Sequence, residues 1–242
     1  MALFLTESTI SYFLTDLLAQ KIKMFLLECS DLSFKYESQQ NWLFKNISLT
    51  LERGEVLLVT GPSGSGKTTF LNILCKIIPD INSGNIVGSI KIKNKDLQNY
   101  TMPQLSRELS LLWQDPDKQL IFPTVEMELA FYPENYNVAP EKIKNRINKI
   151  LHDLKISELQ DRDTAFLSFG EKKLVALASL LTYQPDILLM DELTAGLSER
   201  KLDLVLKKIS GLTEAGTLLV IADNNPILNN LATEKINIEN YK

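Results

Sequence analysis

Three short stretches hold residue types whose spacing could do chemistry. Gly61-Pro62-Ser63-Gly64-Ser65-Gly66-Lys67-Thr68 sits between the apolar run GEVLLVT and the segment TFLNILCKII that begins at Thr69. In a GxxxxGK[ST] loop between a strand and a helix, glycines let the backbone wrap so that successive N–H groups point at phosphate oxygens. The helix start adds its positive dipole end. Lys67 is placed to bridge β- and γ-phosphates and Thr68 to give its hydroxyl to Mg2+. A merely structural glycine-rich turn is the alternative, and the strand–loop–helix context favours the nucleotide. The second stretch, DILLMDE, ends in Asp191 and Glu192. They could be an acidic strand end facing solvent. At the C-terminal edge of a parallel sheet, however, they would face the same crevice as the phosphate loop. Asp191 would then hold Mg2+, and Glu192 would orient and polarise an attacking water. The third, LLVIADNNP (218–226), is an apolar run that stops at Asp223, Asn224 and Asn225, all turn-forming types.

These groups need a frame. The segments FLLECSDLSFKY, WLFKNISLTL, GEVLLVTG and SIKIKN read as short strands. Strand character is expected to fade from about Pro103 to Asp161, where Ile143, Ile147, Ile150, Leu151 and Leu154 recur at helical spacing between solvated charges. Strands return at DILLMDE and GTLLVIAD around the helical run ERKLDLVLKKISGL. Alternating strands and helices predict an α/β fold with a largely parallel sheet.

The bulk properties exclude several classes. The 242 residues are 45% hydrophobic and 23% charged, with a formal net charge of −4, an acidic balance that argues against a nucleic-acid partner. Cys29 and Cys75 lack metal-ligand spacing and suggest a reducing compartment. No run approaches the ~18 apolar residues of a membrane span. The first 23 residues have no basic start and no cleavage site of a signal peptide. Leu3, Ile10, Leu14, Leu17 and Leu18 could line one helix face, but residues 1–23 are expected to be an extension, disordered or untranslated, with Met24 as an alternative start.

With the loop and the paired acids in place, the chain resembles the ATPase subunits of ABC transporters from about Met24 onward. LSFGEKK (167–173) is similar to the signature LSGGQ, Gln114 in LLWQDPD to the glutamine that contacts Mg2+ and the attacking water, TAGLS (194–198) to the D-loop, and Tyr36 in FKY to the adenine-stacking aromatic. The resemblance implies a P-loop NTPase core of ABC type (24–102 and 162–242), an N-terminal antiparallel β portion, and an inserted helical subdomain with its Q-loop (103–161). It implies ATP and Mg2+, with Thr68, Gln114 and Asp191 toward the metal and Tyr36 and Gly61 through Thr69 around the nucleotide. Ser168 and Gly170 would act in trans on a partner ATPase subunit's nucleotide. Integral membrane subunits would complete the assembly, peripheral to the cytoplasmic face of the cell membrane. QDPDKQLIFPTVEMELAFYPENY and INSGNIVGSIKI bring the energy-coupling factor importers of vitamins and transition metals closest, with a generic ABC importer ATPase as the alternative.

The same resemblance exposes departures. Asp223 stands where the family has its switch histidine. An ionised aspartate can only accept hydrogen bonds and would repel a γ-phosphate. Phe169 and Glu171 replace a signature glycine and glutamine, Leu193 a proline, Ser198 the D-loop aspartate, and Leu174 a common basic residue. The only histidine, His152, is expected to be an exposed helix residue. Binding groups and Glu192 are intact while switching groups are altered, so the expectation is a heterodimer in which one composite site is degenerate. Otherwise Asn224 or a water takes over from the histidine, or the chain is a regulatory ATP-binding subunit with little turnover. An ABC ATPase acting on DNA or ribosomes fits poorly, for want of a basic face or a coiled-coil insertion.

Overall fold

In the computed structural model the described residues are 25–80 and 83–242; the readings on residues 1–24, and on Ile81 and Asn82 of the insertion, lie outside them. The strands are β1 (Leu27–Tyr36), β2 (Phe44–Leu51), β3 (Val56–Thr60), β4 (Gly84–Ile92), β5 (Lys95–Asp96), β6 (Leu109–Leu112), β7 (Ile187–Asp191), β8 (Leu218–Ala222) and β9 (Glu234–Asn237). The main helices are α1 (Lys67–Leu74), α2 (Met102–Glu108), α3 (Val125–Asn135), α4 (Pro140–Asp153), α5 (Phe169–Tyr183) and α6 (Glu199–Glu214).

The strands make two sheets. One is antiparallel with order β2-β1-β4-β5; the other has order β6-β7-β8-β3-β9 and is parallel throughout. Every residue of β7 and β8 is buried, as the continuous apolar runs require of parallel strands covered on both faces. Successive side chains go to opposite cores. Leu57, Val59, Ile187, Leu189, Leu218 and Val220 pack toward the antiparallel sheet. Val56, Leu58, Leu188, Met190, Leu219 and Ile221 pack against the helices, α5 above all.

Two details fix the layers that carry the site. Between Ser30 and Ser33 the β1–β4 register shifts, and Gly88 opposite, at φ +96°, could not carry a Cβ, which would lie 2.4 Å from the Ser30 carbonyl oxygen. Phe34, Phe44 and Phe70 are fully buried, the last two edge to face at 6.2 Å. They seat α1 directly behind the phosphate loop; truncating one such ring costs about 3–5 kcal/mol.

The middle of the chain needs one correction. Residues 103–161 are mostly helical, but LSLL at 109–112 is a strand, β6, at the edge of the parallel sheet. Four residues are too few for periodicity to separate a strand from a buried helical turn. The predicted amphipathic helix is α4, with Ile143, Ile147, Ile150 and Leu151 buried; His152, near its end, has an exposed side chain, as expected. No helix among the described residues is long and apolar enough to cross a membrane.

Candidate functional site

β3, β7 and β8 all end at one edge of the parallel sheet, so the loops after them share a crevice. The phosphate loop leaves β3 at Gly61 (φ +144°), passes Gly64 (φ +75°) and Gly66 (φ +109°), and enters α1. Gly61 must be glycine twice over: its φ is left-handed, and a Cβ would meet the Ser65 hydroxyl at 2.7 Å. Lys67 is 8% exposed and its ammonium donates to the Gly61 and Pro62 carbonyl oxygens at 2.6 and 3.1 Å. Thr68 Oγ1 donates to Asp191 Oδ2 at 2.7 Å, joining α1 to the end of β7. Tyr36 bonds through its hydroxyl to Thr69 Oγ1 at 2.7 Å and packs edge-on against Phe34.

Two buried polar atoms in this crevice have no hydrogen-bond partner, Ser65 Oγ and Asp191 Oδ1. Buried polar atoms are nearly always satisfied, so both fit a phosphate and its metal. Burial pushes the Asp191 carboxyl above its usual range, against the Thr68 hydrogen bond and with help from the charge of Glu192. The described residues hold no cluster of three acidic, histidine or cysteine ligands. One carboxylate and one hydroxyl suit Mg2+, which takes few protein ligands and leans on phosphates and water.

Glu192 begins the loop after β7 with φ +49°, in the left-handed region; such backbone costs about 1–3 kcal/mol and gathers at functional sites. Its N–H donates to the Ala222 carbonyl oxygen at 2.8 Å, and its Oε2 accepts from Gln114 Nε2 at 2.8 Å. The paired acids and the glutamine predicted from sequence therefore meet at the phosphate loop.

Asp223 behaves differently from a switch residue facing phosphate. Its side chain is buried, and Oδ2 accepts from the Thr194 N–H and hydroxyl, both at 2.9 Å, while Oδ1 accepts from the Asn225 N–H at 3.0 Å. Asn224, the alternative to the histidine, is engaged by the phosphate loop. Its amide is committed to Gly61, accepting from its N–H at 3.0 Å and donating to its carbonyl oxygen at 2.8 Å.

Ser168 and Gly170 stand apart, at the start of α5. Ser168 caps the helix, and Glu171 Oε2 accepts from both the Ser168 N–H (2.8 Å) and hydroxyl (2.6 Å), a reciprocal capping box. The two Ser168 hydrogen bonds hold the Glu171 carboxyl below its usual range. The Phe169 ring, 44% exposed, covers Gly196, where a Cβ would lie 2.3 Å from it.

Sequence reasoning missed Lys173, which is 1% exposed and donates to the carbonyl oxygens of Glu192 and Ala195. It ends the charged run GEKK and looks solvated, but the apolar run from Leu174 to Leu181 makes α5 buried nearly all round. That run was the available signal. The cysteines take no part: burial raises both thiols, Cys29 to about 12.

The profile of the family described as ABC transporter matches residues 44–195. The chain belongs to the ABC transporter family. Among its relatives, a protein of Pyrococcus abyssi assigned as an ABC transporter ATP-binding protein is 32% identical over 207 residues, covering 85% of this chain and 74% of the relative. Similarly assigned proteins of Methanosarcina mazei and Lactobacillus johnsonii are 34% and 39% identical over 83% and 71% of this chain, which spans only 40% and 30% of their lengths. CbiO1 of Clostridium perfringens, part of the ABC transporter complex cbiONQ, is 28% identical with a TM-score of 0.76, covering 89% of this chain and 85% of that one. It agrees with the resemblance to energy-coupling factor ATPases. A dimeric cassette bound to ADP and Pi shares the fold at TM-score 0.75 and 20% identity, over 87% of this chain and 93% of that one. ABC cassettes bind ATP with Mg2+, and the phosphate loop and the paired acids meet in the crevice at the end of β3 and β7.

Proposed function

We propose that this chain is an ATP-hydrolysing subunit that energises an importer of energy-coupling factor type, for a vitamin or a transition-metal ion. It would work at the cytoplasmic face of the membrane, docked on integral membrane subunits and paired with a different ATPase chain. The observation that carries the hydrolytic reading is the Gln114–Glu192 contact beside the Thr68–Asp191 bond, which assembles a water-positioning carboxylate next to a metal-holding one. The importer reading is supported by the likeness to CbiO1 and by the stretch from Gln114 to Tyr136.

Each group has a task that follows from its chemistry. Lys67 exchanges neutral carbonyl partners for phosphate oxygens, which make stronger, charge-assisted bonds. Ser65 Oγ and the loop N–H groups receive the phosphates, and Tyr36 packs on the base. Asp191, Thr68 and Gln114 would hold the metal, which would neutralise charge developing on the phosphate oxygens. Glu192 orients the attacking water, and Ser168 and Gly170 reach the partner's nucleotide.

A second reading, an ATP-binding regulatory subunit with little turnover, is favoured by two observations: Glu171 places an anion on the Ser168 hydroxyl, and Asp223 occupies the histidine's place. Co-purification of the tagged chain from detergent-solubilised membranes with Mg2+-ATP tests the assembly. A second ATPase and membrane subunits retained together support it; only soluble proteins would overturn it. Glu192→Gln separates the two readings, since it abolishes turnover of the complex only if this site hydrolyses.

A further inference from the structure

Residues 192–195 carry Glu192 into the site in a left-handed backbone conformation, and such a loop persists only where its surroundings over-determine it. Two buried charged side chains hold it, one from α5 and one from just beyond β8. From α5, Lys173 donates to the carbonyl oxygens of Glu192 and, at 3.0 Å, Ala195. From just beyond β8, one oxygen of Asp223 accepts from both the N–H and the hydroxyl of Thr194. The carbonyls on either side of Thr194 thus meet a cation, and its own donors meet an anion.

We propose that Lys173 and Asp223 are positioning residues for hydrolysis, a clamp from two elements that sets Glu192 against Gln114. On this reading the residue at the switch-histidine position acts on the catalytic loop and not on the phosphate. The inference rests on the proposed hydrolytic role of Glu192.

The chemistry of burial supports the pairing. An ammonium that is 1% exposed needs carbonyl partners and nearby anions, and removing either side leaves an uncompensated charge. Burial lowers the Lys173 pKa while Asp223, Glu192 and Asp191 oppose it, so three carboxylates share this one cation's field. Gly170 and Gly196 complete the contact: a Cβ on Gly170 would lie 2.7 Å from the Gly196 carbonyl oxygen, so α5 and the loop touch backbone to backbone.

The test uses the assembled transporter, measuring ATP turnover and nucleotide affinity for Lys173→Met, Lys173→Arg, Thr194→Val, Asp223→His and, as a reference, Glu192→Gln. A misplaced catalytic group costs up to about 100-fold in rate. Lys173→Met and Thr194→Val should therefore lower kcat by about 10- to 100-fold with nucleotide affinity little changed. Lys173→Arg should restore part of the loss, and Asp223→His should lower turnover. Thr194→Val removes one hydroxyl and keeps the side chain's shape, so it reports even if Lys173→Met fails to fold. If Glu192→Gln is dead while Thr194→Val turns over normally, or if Asp223→His raises kcat, the clamp is wrong and the hydrolytic reading stands. If Glu192→Gln retains full turnover, that reading falls and takes the clamp with it.

Discussion

At the phosphate loop, Ser65 Oγ and Asp191 Oδ1 are buried without partners, and Lys67 rests on two neutral carbonyls. At the start of α5 the corresponding polar groups are already satisfied, because Glu171 takes both the N–H and the hydroxyl of Ser168. One end is held open for a ligand by a frame that leaves polar atoms unpaired; the other closes on itself. The difference separates the departures of this cassette. Those at 168–171 lie at the end that, on the proposed function, would meet a partner's nucleotide, while Gln114, Glu192, Asp191 and Thr68 stand bonded in pairs beside the phosphate loop.

The largest expected effect lies at the open end. Glu192→Gln keeps the Gln114 contact sterically but removes the group that polarises water, and complex turnover should fall by ~10²–10⁴. Retained turnover would erase the contrast between the two ends. Asp191→Asn comes next, with Mg2+-dependent turnover expected to drop about 100-fold. Its stability signature has the opposite sign. The native Asp191 carboxyl is raised above 3.8, so the folded chain binds the proton more tightly than the unfolded one. Without Mg2+, stability should then fall as pH rises from 3.8 through the raised value, and Asp191→Asn should flatten that slope in thermal unfolding. At the closed end the effect is smaller. Glu171→Gln preserves the capping box and removes the anion, so nucleotide retention at the site this signature is proposed to complete should improve about two- to fivefold. No change there would mean that Glu171 is no obstacle to the partner's γ-phosphate.

How much of this was legible in the chain follows from the range of the signals. The phosphate loop, the paired acids and α4 are local patterns whose periodicity or spacing determines them, and they stand where the residues implied. β6 escaped because LSLL is too short to show a period. Lys173 and Thr194 escaped because their roles depend on partners 19 or more residues away. The identity of Asp223 as a departure was readable from its place after β8. That its carboxylate points at Thr194 is a matter of tertiary geometry. Asn224 shows the same limit, since only the parallel pairing of β3 with β8 brings it to Gly61.

The smallest effect discriminates most directly between the two ends, because it compares one residue type in both settings. Ser168 is an N-cap whose loss should cost about 1 kcal/mol of stability, a fall of about 2–4 °C in Tm for a domain of this size. Ser65 has a buried hydroxyl with no partner, so Ser65→Ala should leave the nucleotide-free Tm unchanged and instead weaken ATP binding. The cap also carries a pH sign. Glu171 is held below its usual 4.5, so its contribution is present above that pH and is lost as pH falls through the lower native value. Ser168→Ala should blunt that acid limb and Ser65→Ala should not. Equal losses of stability from the two substitutions would show that the phosphate loop satisfies its own hydroxyls after all, and the contrast between an open end and a closed one would not survive.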